Sequence, residues 1–183
     1  GLDFSPVAAT TVGQGHRDLA ALDVDGDEKM DLVLANVFTA SLSVLIGNGD
    51  GTYEAPTIVP GGAALPRELS VGHLDDDGRE DLVVADEKGG VAVLLSNTSG
   101  SGPVFQAAVN YDAGMETYAT ELADLDGDGH LDIVAVNRLS NDVSVLLGDG
   151  DGAFGVATHT ATGAGPRGLD VGDVDGDGDV DVV

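Results

Sequence analysis

The chain has 183 residues, no cysteine and a formal net charge of −26, which comes from 33 acidic and 7 basic residues. Because so acidic a surface repels phosphate groups, nucleic acid and anionic membrane surfaces are poor partners. No apolar run reaches membrane-spanning length, and the lack of cysteine neither requires nor excludes secretion.

A nine-residue acidic motif, Asp-x-Asp-Gly-Asp-x-x-x-Asp, recurs about every fifty residues. Its copies begin at residues 23, 73, 124 and 173, so the steps are 50, 51 and 49 residues. A fixed period of this size is typical of solenoids, propellers and arrays. Two other landmarks keep the period: an aromatic at Phe4, Tyr53, Phe105 and Phe154, and the residue six positions before each loop at Arg17, Arg67, Tyr118 and Arg167.

The first full repeat shows the order of its predicted elements. An inner strand begins at Arg17 and leads into the acidic loop of residues 23–31. The apolar runs DLVLANV and SLSVLIG predict the next two strands, and a Gly/Asn/Asp turn leads to a fourth strand in TYEAPTIV. These runs are short, rich in Val, Ile and Leu, and bounded by turn residues, which indicates strands and not helices. The later repeats keep the same order, with outer strands in PVFQAAV and AFGVATHT.

Four antiparallel strands in roughly fifty residues is the size of one β-propeller blade. The sequence therefore predicts an all-β fold of propeller blades. An outer strand of a preceding blade is expected at 1–16, complete blades at 17–66, 67–116 and 117–166, and the start of another blade at 167–183. Because a propeller needs roughly four to eight blades to close, we expect a piece of a longer propeller, or closure by association.

The acidic loops predict metal sites. Carboxylates at positions 1, 3, 5 and 9 and a main-chain carbonyl at position 7 are hard oxygen ligands suited to one Ca²⁺. An EF-hand is excluded, because position 12 is not Glu and a strand follows, while Zn²⁺ prefers Cys and His. The predicted ligands are Asp23, Asp25, Asp27, Lys29 and Asp31 in the first loop, Asp124, Asp126, Asp128, His130 and Asp132 in the third, and Asp173, Asp175, Asp177, Asp179 and Asp181 in the fourth, with position 7 contributing its carbonyl.

The second loop, residues 73–81, departs from this pattern. Its first position is His73, a poor Ca²⁺ ligand, and Asp76 replaces the glycine at position 4. We expect this site to be weaker, distorted or empty. Its candidate ligands are Asp75, Asp77, Asp81 and the carbonyl of Arg79. In every loop the expected role of the ion is structural, and solvated acidic turns without an ion are the alternative.

The chain resembles the FG-GAP or VCBS repeat family, whose best-known members form the calcium-binding blades of the integrin α-subunit propeller. The resemblance is carried by Phe154-Gly155, by Gly163-Ala164-Gly165-Pro166 and by the DxDGDGxxD loop that follows. It implies a larger, seven-bladed ring, completed by the same parent chain or by another copy. It also implies a secreted or cell-surface module that binds a protein or glycan ligand at a cell surface or in the extracellular matrix.

Three functions stay open. The first is this calcium-stabilised binding or adhesion module; its lectin version is weakened by the absence of Trp and an aromatic content of 4%, because sugars commonly stack on aromatic rings. The second is the propeller portion of a secreted polysaccharide-active enzyme. We expect no enzyme, because no cysteine nucleophile and no Ser-His-Asp arrangement can be argued from the spacing. The third is a self-assembling fibre subunit joined through open repeat edges.

The recurring residues Arg17, Arg67, Tyr118 and Arg167 begin the inner strands, at the end opposite the acidic loops. In a closed propeller they would ring the mouth of the central channel. Salt bridges or packing between blades is the favoured interpretation, and an anionic ligand is the alternative. The recurring aromatics are expected to lie in the core between blades.

Overall fold

A computed structural model describes residues 12–97 and 104–183, and these residues form antiparallel β-sheets in succession along the chain. The first sheet holds β1 (His16–Leu22), β2 (Asp31–Asn36), β3 (Ser41–Leu45) and β4 (Thr57–Pro60). The second holds β5 (Pro66–Gly72), β6 (Asp81–Asp86), β7 (Val91–Leu94) and β8 (Val109–Tyr111). The third holds β9 (Thr117–Ala123), β10 (Asp132–Asn137), β11 (Asp142–Leu146) and β12 (Thr158–Ala161), and a last pair joins β13 (Val171–Gly172) to β14 (Asp181–Val182).

Within each four-stranded sheet the strands are hydrogen-bonded in chain order and every pair is antiparallel. This confirms the predicted all-β fold of propeller blades. In the described ranges the helical structure is a single 3₁₀ turn at Val37–Thr39, and no helix there is long and apolar enough to cross a membrane. Phe4 and most of the predicted outer strand at 1–16 lie outside the described residues.

The second blade is buried on both faces. Leu82 and Val84 of β6 belong to a core shared with the first blade, whereas Val83 belongs to a core that includes Ile133 and Leu146 of the third. Successive side chains of a strand point to opposite faces, so a strand between two neighbours needs apolar residues at every position. This explains why the run DLVVAD lacks the polar alternation of a half-exposed strand.

Inner strands of neighbouring blades are joined by carboxylates that follow the recurring arginines. Asp18 on β1 accepts a hydrogen bond from the Leu69 amide of β5 at 2.9 Å. Glu68 on β5 accepts one from the Thr120 amide of β9 at 3.1 Å. In the next two repeats Ala119 and Gly168 take this position, so the link cannot recur there.

Each outer strand begins after a β-bulge. Val44 pairs with Thr57, but Gly47 bridges to Tyr53, so the register shifts by one residue between them. The same shift separates Val93–Val109 from Ser96–Phe105, and Val145–Thr158 from Gly148–Phe154. The extra residue interrupts the ladder. The predicted fourth strands are therefore too long at their starts, where each described aromatic forms an isolated bridge instead.

Candidate metal centres

The last aspartate of each acidic loop anchors the loop to its blade. Asp31 is fully buried; its Oδ2 accepts a hydrogen bond from the Val24 amide at 3.0 Å and its Oδ1 one from the Gly47 amide at 2.7 Å. Burial raises the pKa of Asp31, although the two amide donors favour the charged form. The equivalent bonds run from Leu74 and Ser96 to Asp81, from Leu125 and Gly148 to Asp132, and from Val174 to Asp181.

The first aspartate closes the loop onto its own backbone. Asp23 Oδ1 accepts hydrogen bonds from the amides of Gly26 at 2.7 Å and Asp27 at 3.2 Å, and Oδ2 accepts one from Glu28 at 2.8 Å. The same pattern binds Asp124 to Gly127, Asp128 and Gly129, and Asp173 to Gly176 and Gly178. These bonds fold the backbone of the loop around the first aspartate and fix the position of its carboxylate.

Positions 4 and 6 adopt left-handed backbone conformations in the first, third and fourth loops. In the third loop both are glycine, with φ of 78° at Gly127 and 92° at Gly129. In the first loop Gly26 has a φ of 77°, and Glu28 has a φ of 65° although it carries a side chain. Because a left-handed conformation brings Cβ close to the carbonyl oxygen, Glu28 is a strained residue.

Three of the four loops bring carboxylates together. In each, three aspartates offer oxygens that all lie within 4.8 Å of one another, a spacing that suits a shared cation with hard oxygen ligands such as Ca²⁺. The groups are Asp23, Asp25 and Asp27; Asp124, Asp126 and Asp132; and Asp173, Asp175 and Asp181. All nine residues belong to the predicted ligand set.

Other predicted ligands have different surroundings. In the first loop the Lys29 ammonium lies 2.5 Å from Asp27 Oδ2 and, through this bond, lowers the pKa of the Asp27 carboxyl. The Asp128 carboxylate accepts a hydrogen bond from the His130 amide, and the Asp177 carboxylate accepts one from the Asp179 amide. Asp31 lies outside the carboxylate group of its own loop, whereas Asp132 belongs to the group of the third loop, although two anchoring amides hold each of them.

Position 7 packs over a turn glycine that the motif does not include. A Cβ on Gly49 would lie 2.8 Å from Cδ of Lys29, and a Cβ on Gly150 would lie 2.3 Å from the His130 ring. Both glycines have a φ of 78°. The turn between the third and fourth strands therefore supports the acidic loop. The recurring GNGDG and GDGDG sequences of this turn are the feature of the sequence that could have indicated the contact.

The second loop is closed by its histidine. His73 Nδ1 lies 2.7 Å from the carbonyl oxygen of Arg79; because a carbonyl is an acceptor, Nδ1 is the donor. Asp75 accepts from the Asp77 amide, and Asp77 accepts from the Arg79 amide. Among the described residues, loop 73–81 contains no group of three convergent carboxylates like those of the other loops. The position-7 carbonyl, predicted as a metal ligand, is bonded to an imidazole here.

The opposite end of the inner strands carries the recurring arginines. Arg17 of the first blade and Arg67 of the second share the carboxylate of Glu87, at 3.6 and 3.1 Å. The guanidinium carbon of Arg67 lies 3.3 Å from the ring centroid of Tyr118, and that of Arg167 lies 5.5 Å from it. The favoured interpretation, ion pairs and packing between blades, thus describes Arg67 well.

Among solved structures, an Agrocybe aegerita lectin that recognises non-reducing terminal N-acetylglucosamine is 25% identical, with a TM-score of 0.60 over 92% of this chain and 46% of the lectin chain. The pore of the Photorhabdus luminescens Tc holotoxin is 21% identical, with a TM-score of 0.49 over 97% of this chain and 9% of the toxin chain. The chain thus spans about half of the lectin. No curated protein sequence matches it.

A family model described as FG-GAP-like repeat matches residues 73–135 and again residues 124–183. The first match contains the acidic loops 73–81 and 124–132, and the second contains the loops 124–132 and 173–181. The overlap of the two matches contains the third loop, which carries the motif without departures. Together they cover more than half of the chain, and the protein therefore belongs to the FG-GAP-like repeat family.

Proposed function

We propose that this chain forms part of an extracellular β-propeller, secreted or at a cell surface, that is stabilised by Ca²⁺ and binds glycans. The observation that carries the proposal is the similarity, over 92% of the chain, to a lectin that recognises terminal N-acetylglucosamine. In this proposal the blades present recognition surfaces, and the remaining blades come from the same parent chain or from another copy.

The calcium part of the proposal rests on the three carboxylate groups. Each places three aspartate oxygens within 4.8 Å of one another, and like charges so close repel unless a cation neutralises them. Ca²⁺ takes about six to eight oxygen ligands, so main-chain carbonyls and water complete each site. The further resemblance to VCBS repeats and to the calcium-binding blades of integrin α-subunits belongs to this part of the proposal.

The glycan part has to account for the scarcity of aromatic residues. With no Trp and an aromatic content of 4%, stacking on sugar rings has a minor place in recognition. Carboxylates are concentrated in the acidic loops and three guanidinium groups lie at the opposite end of the inner strands. Together with main-chain amides, these groups recognise hydroxyl and acetamido groups through hydrogen bonds. Polar recognition of terminal sugars is therefore the form of lectin activity that suits this chain.

A glycan array probed with the labelled full chain tests the proposal. We expect binding to glycans with exposed terminal sugars in calcium buffer. We expect loss of binding in EDTA, because the carboxylates within each acidic loop then repel one another. An array without hits, alongside a protein-ligand screen that succeeds, would replace glycan with protein as the ligand class. Turnover of a polysaccharide by the chain would replace the binding module with an enzyme.

A further inference from the structure

A small cavity lies at the end of the inner strands farthest from the acidic loops. It has a volume of about 200 Å³ and is lined by Arg17, Asp18, Arg67, Glu68, Tyr118, Ala119 and Arg167. These residues belong to four successive repeats. The cavity thus brings together three of the seven basic residues of a chain with 33 acidic ones.

The three arginines have different surroundings. The Arg67 side chain is 13% exposed, pairs with Glu87 and stacks on Tyr118, so it serves the packing between blades. The Arg17 side chain is 42% exposed and lies at 3.6 Å from a Glu87 oxygen that also serves Arg67. Arg167 is exposed, and among the described residues no carboxylate pairs with it. Arg17 and Arg167 therefore retain N–H donors that no acceptor in residues 12–97 and 104–183 binds.

The two carboxylates in the cavity are held by backbone amides. Asp18 Oδ2 bonds to Leu69 and Glu68 Oε2 bonds to Thr120. In the described part of the chain, the second oxygen of each has no hydrogen-bond donor. The cavity thus combines cationic donors, which suit a carboxylate, with anionic acceptors, which suit hydroxyl groups. A bare inorganic anion would gain from the donors but would be repelled by the acceptors.

Resting on the proposed glycan-binding function, we propose that this cavity binds one acidic sugar residue. Arg17 and Arg167 donate to the sugar carboxylate, and the second oxygens of Asp18 and Glu68 accept from its hydroxyl groups. The volume of about 200 Å³ is below the roughly 300–1,000 Å³ of sites for drug-sized ligands. It therefore selects a single residue, such as the end of a glycan chain.

The acidic loops do not prevent anion binding at this end. Six residues of extended strand separate Arg17 from Asp23, which is on the order of 20 Å at the usual rise of a strand. The Debye length at physiological ionic strength is about 8 Å, so the loop charges are largely screened at the cavity. Neutralisation of the loops by bound cations reduces their field further.

Calorimetric titration of the full chain in calcium buffer tests the inference with matched ligands. The probes are the methyl glycosides of glucuronic acid, galacturonic acid and N-acetylneuraminic acid, with those of glucose and galactose as neutral counterparts and sodium acetate as a bare carboxylate. We expect at least one acidic glycoside to bind ten-fold or more tightly than every neutral glycoside and than acetate.

Three variants locate the site. Arg17→Gln and Arg167→Gln should each weaken binding of that glycoside about ten-fold or more, the effect of losing a charged hydrogen bond. Lys88→Gln removes the same charge from an exposed turn at the same end of the blade, outside the cavity, and should change affinity less than two-fold. The calcium-dependent melting temperature of each variant shows whether it folds. If the Arg17 variant does not fold, the variant of the exposed Arg167 tests the site by itself.

Equal affinity for acidic and neutral glycosides would overturn the inference, as would unchanged affinity in both arginine variants. Acetate binding as tightly as the best acidic glycoside would overturn the assignment to a sugar. Retained binding to N-acetylglucosamine glycans on the array would show that the proposed function survives such a failure. If no glycan binds on the array and no acidic glycoside binds in calorimetry, both the proposed function and this inference are overturned.

Discussion

The acidic loops at 73–81 and 124–132 have the same length and the same anchor but differ in what their carboxylates do. Asp81 and Asp132 both accept one hydrogen bond from the amide at position 2 of the loop and one from the amide two residues beyond the third strand of the blade. In the third loop Asp124 collects three backbone amides, and the aspartates converge. In the second loop His73 bonds the position-7 carbonyl instead.

The difference separates two functions that one motif carries. The last aspartate joins the loop to its blade, and it does so whether or not the loop gathers carboxylates for an ion. The first residue decides the second function, because a carboxylate there organises the loop amides and adds an oxygen ligand. In the second loop an imidazole N–H binds the position-7 carbonyl that the calcium proposal assigns to the ion, so a loop can keep its place in the fold without the convergent carboxylates of the others.

Removal of calcium should produce the largest effect. Each ion that binds the folded chain alone adds about 2.7 kcal/mol at a hundred-fold excess over Kd, and three carboxylate groups are present. We therefore expect EDTA to lower the melting temperature markedly in differential scanning calorimetry. Magnesium should restore little of it, because Mg²⁺ demands a stricter octahedral geometry. An unchanged melting curve in EDTA would remove the metal role from all the loops at once.

The ions are assigned to loops by two matched substitutions. Asp126→Ala removes a member of the third group and should reduce the calcium stoichiometry by one and the calcium-dependent stabilisation by one site. Asp76→Ala removes an exposed carboxylate from the second loop and should leave both quantities unchanged. The reverse order of the two effects would show that the loops are misassigned.

Loss of an anchor should be costly in a loop without convergent carboxylates. Asp81→Ala leaves the buried amides of Leu74 and Ser96 without acceptors, at a cost of about 3 kcal/mol. Because this role does not involve an ion, urea unfolding should give the same loss in calcium and in EDTA. A loss that appears in calcium alone would mean that Asp81 acts as a metal ligand.

Restoration of the motif should convert the second loop into a metal site. His73→Asp combined with Asp76→Gly supplies the missing carboxylate and the glycine found at position 4 elsewhere. We expect calorimetry to count one additional Ca²⁺ and stability to rise by up to about 2.7 kcal/mol in excess calcium, with no gain in EDTA. His130→Asp in the third loop is the matched control, since position 7 contributes a carbonyl there. An unchanged ion count would show that His73 is not what limits the site.

Much of the fold was predictable because its determinants are local and repeated. The fifty-residue period, the short apolar runs and the Gly/Asp turns define four strands per blade, and the sheets confirm them. The bulge was not predictable from those runs. A single extra residue between Tyr53 and Thr57 changes the pairing without changing the hydrophobic pattern, so the outer strands looked continuous.

The site was predictable only as far as it lies within nine residues. The spacing placed Asp124, Asp126 and Asp132 in one group. The anchoring of Asp132 depends on Gly148, sixteen residues further along the chain, and no motif joins the two. The arginine cavity needs four repeats packed together before Arg17 and Arg167 share one space. Contacts of this kind depend on the packing of blades, which the spacing of residues within one repeat does not specify.

The smallest effect concerns position 6, where the first loop has Glu28 and the third has Gly129. Both adopt left-handed backbone conformations, with φ of 65° and 92°. A side chain in this conformation lowers the stability of the folded chain by about 1–2 kcal/mol. A glycine removes that strain, but it also gives the unfolded chain more conformational entropy, which offsets about 0.5–1 kcal/mol of the gain. Glu28→Gly should therefore raise the free energy of unfolding by up to about 1.5 kcal/mol.

Gly129→Ala is the reciprocal change and should lower the free energy of unfolding by a similar amount. An added Cβ at Gly129 meets no atom within 4 Å, so any loss reports backbone strain and not a clash. Urea unfolding in EDTA removes the contribution of the ions from both measurements. Opposite signs for the two variants would show that position 6 is set by backbone conformation. A stabilising Gly129→Ala would mean that the loop relaxes out of the left-handed region when no ion holds it.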